Sequence, residues 1–197
     1  MELNNKNITH IVVDMLYDFI DGSLACQNAR EAVTESVRYI NRNPLQRVVY
    51  ICDSHPAGHC SFAEQGGAWP PHCVTGTHGQ EIHADYYTLV THPEQRPEGE
   101  NIFKKGEDPG SEQYSGYEAA NITGERVGDF IKRVTSPGKP SVVISGIATE
   151  YCISETVTDL IEAGFTVYLL KDALGYVNRD RHISVLESFK KTGVILI

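Results

Sequence analysis

The 197-residue chain has a single tryptophan, no excess of positive charge, and nowhere an apolar run of roughly 18 residues. Without such a run there is no helix to span a membrane. The polar start MELNNKNITH lacks the apolar segment of a secretory leader, so a cytoplasmic protein is expected. Lys and Arg number 17 against 26 Asp and Glu, a net charge of -9, which argues against a nucleic-acid surface. The five cysteines, at positions 26, 52, 60, 73 and 152, are odd in number and widely scattered, which excludes a disulfide framework and fits a reducing compartment. No repeat, linker or low-complexity stretch divides the chain, so residues 1–197 are read as one domain with enough apolar content for a sizeable core.

What the chain does have is an alternation of two periods. Residues 11–13 and 47–52 are continuous, β-branched-rich apolar runs, the pattern of strands buried on both faces, and they stop at Asp14 and Asp53. Between them Ala29, Val33, Val37 and Ile40 recur at helical spacing. Residues 101–105 read as a short strand closed by Lys105. Val127, Phe130, Ile131 and Val134 read as a helix stopped by Pro137. Residues 142–144 form another buried run, followed by a turn and by a helix through Ile153, Val157, Leu160 and Ile161 that Gly164 can close. A strand at 166–170, a helix through Ile183, Leu186 and Phe189, and a last strand at 194–197 complete the pattern. This alternation predicts an α/β fold: a three-layer, doubly wound (Rossmann-like), mostly parallel sheet of about six strands with helices on both faces.

In such sheets ligands bind outside the carboxyl ends of the strands. Asp14, Asp53 and Lys105 each close a strand, and Cys152 falls in the first turn of a helix that follows one. One strand-end Asp is an ordinary helix cap, and one cysteine is ordinarily a packed core residue. Four such groups at strand exits point to chemistry instead. At a helix start, free N–H groups and the helix dipole are expected to lower the Cys152 pKa and to offer donors to an oxyanion. The stretch from 54 to about 86 has no sustained period, reads as a long functional loop, and holds five of the eight histidines (55, 59, 72, 78 and 83). Asp53 and His55, two apart, project to one side of an extended chain, and a Gly-Gly-Ala-Trp-Pro-Pro turn can return His72 to them. One Asp with two His suits zinc, iron(II) or manganese with positions left open. His59 and Glu64 are further ligand candidates.

Several segments, in order and over nearly the whole chain, resemble the nicotinamidase/pyrazinamidase branch of the isochorismatase-like cysteine hydrolases. They are Asp14-Met-Leu-Tyr-Asp18-Phe19, Asp53-x-His55-Pro-Ala-x-His59-x-Ser61-Phe62, Trp69-Pro-Pro-His72-Cys73-Val74-x-Gly76-Thr77, Lys105-Gly106, Tyr114-Ser-Gly116 and Gly146-Ile-Ala-Thr149-x-x-Cys152. The resemblance implies hydrolysis of nicotinamide to nicotinate and ammonia, with pyrazinamide as a side substrate. It also implies a triad of Asp14, Lys105 and Cys152, and an oxyanion held by the N–H groups of Ala148 and Cys152. The Ile147–Ala148 peptide is then expected to be cis. One divalent ion, zinc ahead of iron or manganese, is expected on Asp53, His55 and His72, and Phe19, Trp69 and Tyr114 are expected around the substrate. A homo-oligomer is compatible with this reading.

One departure stands out. Relatives commonly carry Gln-Asn where this chain has Leu16-Tyr17, so a polar contact near the base is expected to be missing. Asp18 reads as holding the turn after the first strand, with orientation of Lys105 as the alternative. The competing functions are an amidohydrolase for another small amide or carbamoyl compound, an isochorismatase-type ether hydrolase, and a catalytically silent pyridine- or partner-binding member. An active triad predicts alkylation of Cys152 well below the pH of an ordinary thiol.

Overall fold

Six parallel strands form one sheet: β1 (Ile8–Val13), β2 (Arg47–Asp53), β3 (Ile102–Lys105), β4 (Ser141–Gly146), β5 (Thr166–Leu174) and β6 (Ile195–Leu196), in the spatial order β3-β2-β1-β4-β5-β6. The computed structural model describes residues 3, 5–135 and 138–197. Pro137, expected to stop a helix, lies outside the described residues, as do Met1, Glu2 and Asn4 of the polar start.

The continuous apolar runs become strands because both faces of the sheet are covered. Ile11 and Val13 of β1, with Val49 and Ile51 of β2, face one apolar core. That core is shared with α4 (Val127–Val134), α5 (Ser154–Glu162) and Phe189 of α6 (Arg179–Lys191). Val12, Val48 and Tyr50 face the other, with Phe19 and Ile20 of α1 (Tyr17–Ile20), the apolar stripe of α2 (Ala29–Arg42) and Tyr86 of α3 (Asp85–Thr88). The three layers expected from the sequence are therefore present, and the pairings between the six strands named are parallel.

Some boundaries differ from the expectation. β1 begins three residues earlier, at Ile8, and β5 runs on to Leu174, where it pairs with Gly146 beyond a register shift in β4. The last strand shortens to two residues. Helix α1, four residues long, has no sequence period to announce it. Residues 54–101 carry only short helical turns, so the long loop is present as expected.

Connections run from β1 outward to β2 and β3, then return past β1 to β4 and continue to the far edge. The order reverses between β1 and β4, which opens a crevice at their carboxyl ends. Asp14 leaves β1 there, and the turn to Cys152 leaves β4. Register pairs Val13 with Gly146 and Asp53 with Lys105, so four strand exits lie side by side.

Candidate active site

Lys105 is the centre of the site. Its side chain is fully enclosed, with Nζ 3.0 Å from Asp14 Oδ2, paired closely with Asp53 Oδ1, and 3.5 Å from Cys152 Sγ. The Asp53 N–H donates to Asp14 Oδ1 at 3.0 Å, which ties the β1 and β2 exits together. Asp14 turns the chain at φ +52°, a left-handed conformation that Asp tolerates better than most residues. The ligating atoms of Asp14, Asp53 and Cys152 all lie within 4.8 Å of one another.

Two buried carboxylates beside one ammonium cannot titrate alike. Burial, reinforced by Asp53, pushes Asp14 up to about 6 against the pull of Lys105. Burial works in the same direction on Asp53, but Lys105 and His55 outweigh it and hold that carboxyl below the ordinary range. Burial opposes the charge on Lys105, yet the two carboxylates raise it well above the usual lysine value. The expectation for Cys152 is corrected here. Burial, with Asp14 and Asp53 adding to it, drives the thiol well above its ordinary pKa, although Lys105 pulls the other way. The Asp14 carboxylate lies within 4.8 Å of that sulfur.

Cys152 lies on a turn of π-helix, Thr149–Ile153, rather than in the first turn of an α-helix; α5 starts only at Ser154. The Ile147–Ala148 peptide is cis. Around it the N–H groups of Ile147 and Thr149 donate to Val13 and Gly175, and those of Tyr151 and Ile153 both donate to the Ala148 carbonyl.

The second cluster adjoins the first through Asp53. One donor atom from each of Asp53, His55 and His72 lies within 4.8 Å of the others, all three residues being buried. Nδ1 of His55 bonds the Gly106 carbonyl at 2.9 Å and Nδ1 of His72 bonds the Pro70 carbonyl at 2.8 Å. A carbonyl only accepts, so both Nδ1 atoms carry the proton, which leaves each Nε2 as the ring's available donor atom toward a cation, with His55 Nε2 3.6 Å from Asp53 Oδ2. The donor set thus fits a divalent ion. His59 lies beside this set and is engaged elsewhere in the structure. Its ring stacks on His55 at 4.1 Å while its nitrogens bond Ser61 Oγ at 2.7 Å and the Ser111 carbonyl at 3.1 Å. Glu64 is exposed.

Between the clusters is a cavity lined by Phe19, Trp69, Tyr114, His72, Asp53, Ala148 and Cys152. Every ring expected around a substrate is there. Trp69 Nε1 donates to the Tyr114 hydroxyl at 3.1 Å, which locks two of them together. Glu112, from the acidic loop after Lys105, also lines the cavity. Leu24, Cys26, Tyr151 and Val177 complete the lining and were not anticipated. Tyr151 could have been found as the neighbour of Cys152; the other three have no local signal. Leu16 is buried among apolar neighbours, and Tyr17 stacks on His78 at 4.0 Å and accepts from the Ala84 N–H. Neither offers a polar group to Asp14, as expected.

Residues 126–197 match the family model for the Isochorismatase domain. The nicotinamidase/pyrazinamidase of Mycobacterium tuberculosis is 28% identical over 192 residues, which cover 95% of this chain and 96% of that one. Among solved structures, pyrazinamidase of Pyrococcus horikoshii in complex with zinc shares 33% identity at a TM-score of 0.79, covering 97% of this chain and 98% of that one. PnC1 from L. infantum in complex with nicotinate shares 27% at a TM-score of 0.82, over 98% and 92% of the two chains.

Proposed function

Since the chain belongs to the nicotinamidase branch of the isochorismatase-like cysteine hydrolases, we propose that it hydrolyses nicotinamide to nicotinate and ammonia in NAD salvage, with pyrazinamide as a side substrate. One observation carries this reading. A Cys152–Asp14–Lys105 cluster and an Asp53–His55–His72 cluster open on the same aromatic-lined cavity and share Asp53.

Asp14, raised to about 6, is ionised at neutral pH yet basic enough to accept the Cys152 proton. The thiolate attacks the amide carbon, and the oxyanion lies on the N–H groups of Ala148 and Cys152. Lys105 stays protonated throughout and offsets the negative charge that moves between Asp14, sulfur and oxygen. As the tetrahedral adduct collapses the C–N bond breaks, and Asp14 returns its proton to the departing ammonia. Asp14 then takes a proton from water, whose oxygen attacks the thioester. Collapse expels the Cys152 thiolate, Asp14 reprotonates it, and the acid product leaves. Phe19, Trp69 and Tyr114 hold the ring. Asp53, His55 and His72 would hold a divalent ion, zinc ahead of iron or manganese, which would supply a Lewis acid for the ring nitrogen and acidify water. The zinc-bearing P. horikoshii protein supports that choice.

We further read residues 1–197 as one isochorismatase-like domain acting in the cytoplasm, compatible with a homo-oligomer. Among the described residues no helix is long and apolar enough to cross a membrane.

The direct test is ammonia release from nicotinamide by zinc-loaded protein, beside a Cys152→Ala variant and an EDTA-stripped sample. The reading expects activity in the first alone. Loaded protein with an intact Cys152 and no ammonia release would reject nicotinamide and redirect the search to another small amide.

A further inference from the structure

The Asp18 carboxylate lies outside both clusters, yet several contacts converge on it. Oδ2 accepts the Cys73 N–H at 2.7 Å, and Oδ1 accepts the Ser23 N–H at 3.1 Å. Cys73 directly follows His72, and its own carbonyl accepts the His55 N–H at 3.0 Å. Cys73 alone therefore stands between the Asp18 carboxylate and the backbone of each imidazole. We propose that Asp18 is a positioning residue for the cation site, fixing His72 and His55 together by holding the Cys73 peptide against helix α1.

Three further observations support this. Cys73 is buried and has φ +46°, a left-handed conformation that a non-glycine residue keeps only when its surroundings hold it. The Asp18–Cys73 hydrogen bond supplies such a hold from outside the loop. A second tie runs parallel, from Ser23 Oγ to the Pro71 carbonyl at 2.8 Å, next to the Pro70 carbonyl that fixes the His72 tautomer. The space around the carboxylate is also shaped to it, since a Cβ at either Gly22 or Gly79 would collide with the Asp18 side chain. The suggestion that Asp18 orients Lys105 has no support, because its bonds go to Ser23 and Cys73 instead. Phe19 follows Asp18 directly and packs 5.5 Å from the His72 ring, so the same anchor sets one cavity wall relative to the cation site.

This inference rests on reading Asp53, His55 and His72 as a metal site. Two variants test it. Asp18→Asn keeps the shape but offers one acceptor oxygen where two N–H donors converge. Gly79→Ala removes no hydrogen-bonding group and instead pushes on the carboxylate, so it carries the test if the first variant folds poorly. Zinc affinity is measured by competition with a chelator, cobalt(II) visible spectra report the coordination geometry, and melting of the metal-free proteins is recorded alongside. Both variants are expected to bind zinc roughly 10- to 100-fold more weakly with an altered cobalt spectrum, and the double variant little more weakly than the worse single one. Unchanged affinity and spectrum in both, even with a lowered metal-free melting temperature, would make Asp18 a structural residue only and overturn the proposal. Wild-type protein that binds no zinc overturns the metal-site reading, and this inference with it.

Discussion

Asp14 and Asp53 are both buried carboxylates within reach of one ammonium, yet they are driven apart. Asp53 takes the closer pairing and stays ionised, while Asp14 is left near 6 with proton affinity to spare. That separation suits the proposed roles, Asp53 as ligand and Asp14 as base. It also explains how a thiol pushed up by burial can act, since its proton has a receiver close by. Asp14→Asn keeps the volume and removes the acceptor. The expected outcome is a loss of about 10³–10⁴ in kcat, by analogy with other enzymes that lose a catalytic group. KM for nicotinamide and zinc stoichiometry should be nearly unchanged, as measured by steady-state ammonia release and metal analysis. A loss confined to KM would remove Asp14 from the chemistry.

The elements that carry these residues are held from behind. Segment 175–182, from the end of β5 into the first turn of α6, clasps the nucleophile turn. Glu150 accepts the N–H groups of Val177 and Asn178, Thr149 bonds the Gly175 carbonyl and His182, and Arg181 donates to the Tyr151 hydroxyl. At the β3 exit, Gly106 has φ +70°, and a Cβ there would lie 2.6 Å from His55 Nδ1. Gly106→Ala is therefore expected to strain the turn and displace His55 together, with zinc binding weakened at least tenfold in chelator competition. Equal affinity would mean that the loop yields without moving the imidazole. The sequence made the strands legible at this scale because burial on both faces leaves continuous apolar runs at 47–52 and 142–144. The strand exits followed from them, and with them Asp14, Asp53, Lys105 and Cys152. Helix α1 and the π-helical turn were not legible, since a four-residue helix has no period and the turn is set by contacts to residues far along the chain. Leu24, Cys26 and Val177 reach the cavity for the same reason, through tertiary placement alone. The lowered thiol pKa was misjudged because helix position was visible and burial was not.

Across the whole molecule, the sheet stores another titratable group away from the site. His10 of β1 is completely buried, bonds Ser145 of β4 at 2.8 Å through Nε2, and has the Tyr39 ring of α2 edge-on at 5.1 Å. Burial lowers its pKa to about 3 from the ordinary 6.5. Between those values the unfolded chain binds a proton that the folded chain refuses, so stability falls as pH drops through the window and rises as pH increases. At roughly 1.4 kcal/mol per pH unit, the step from pH 6.5 to 5 costs about 2 kcal/mol. Urea midpoints for wild type and His10→Gln should diverge in slope across that range, the variant being flatter. Parallel slopes would show that His10 is protonated in the fold.

Asp14, Asp53, Lys105 and Cys152 come from the ends of four different strands, and the nucleophile turn is clasped by a segment that follows a fifth. No contiguous fragment shorter than nearly the entire chain holds the set together. Catalytic turnover is thus a reporter of folding. In a refolding experiment, ammonia release would return only when both halves of the sheet have joined at the β1–β4 seam, after any helical signal that either half can generate alone.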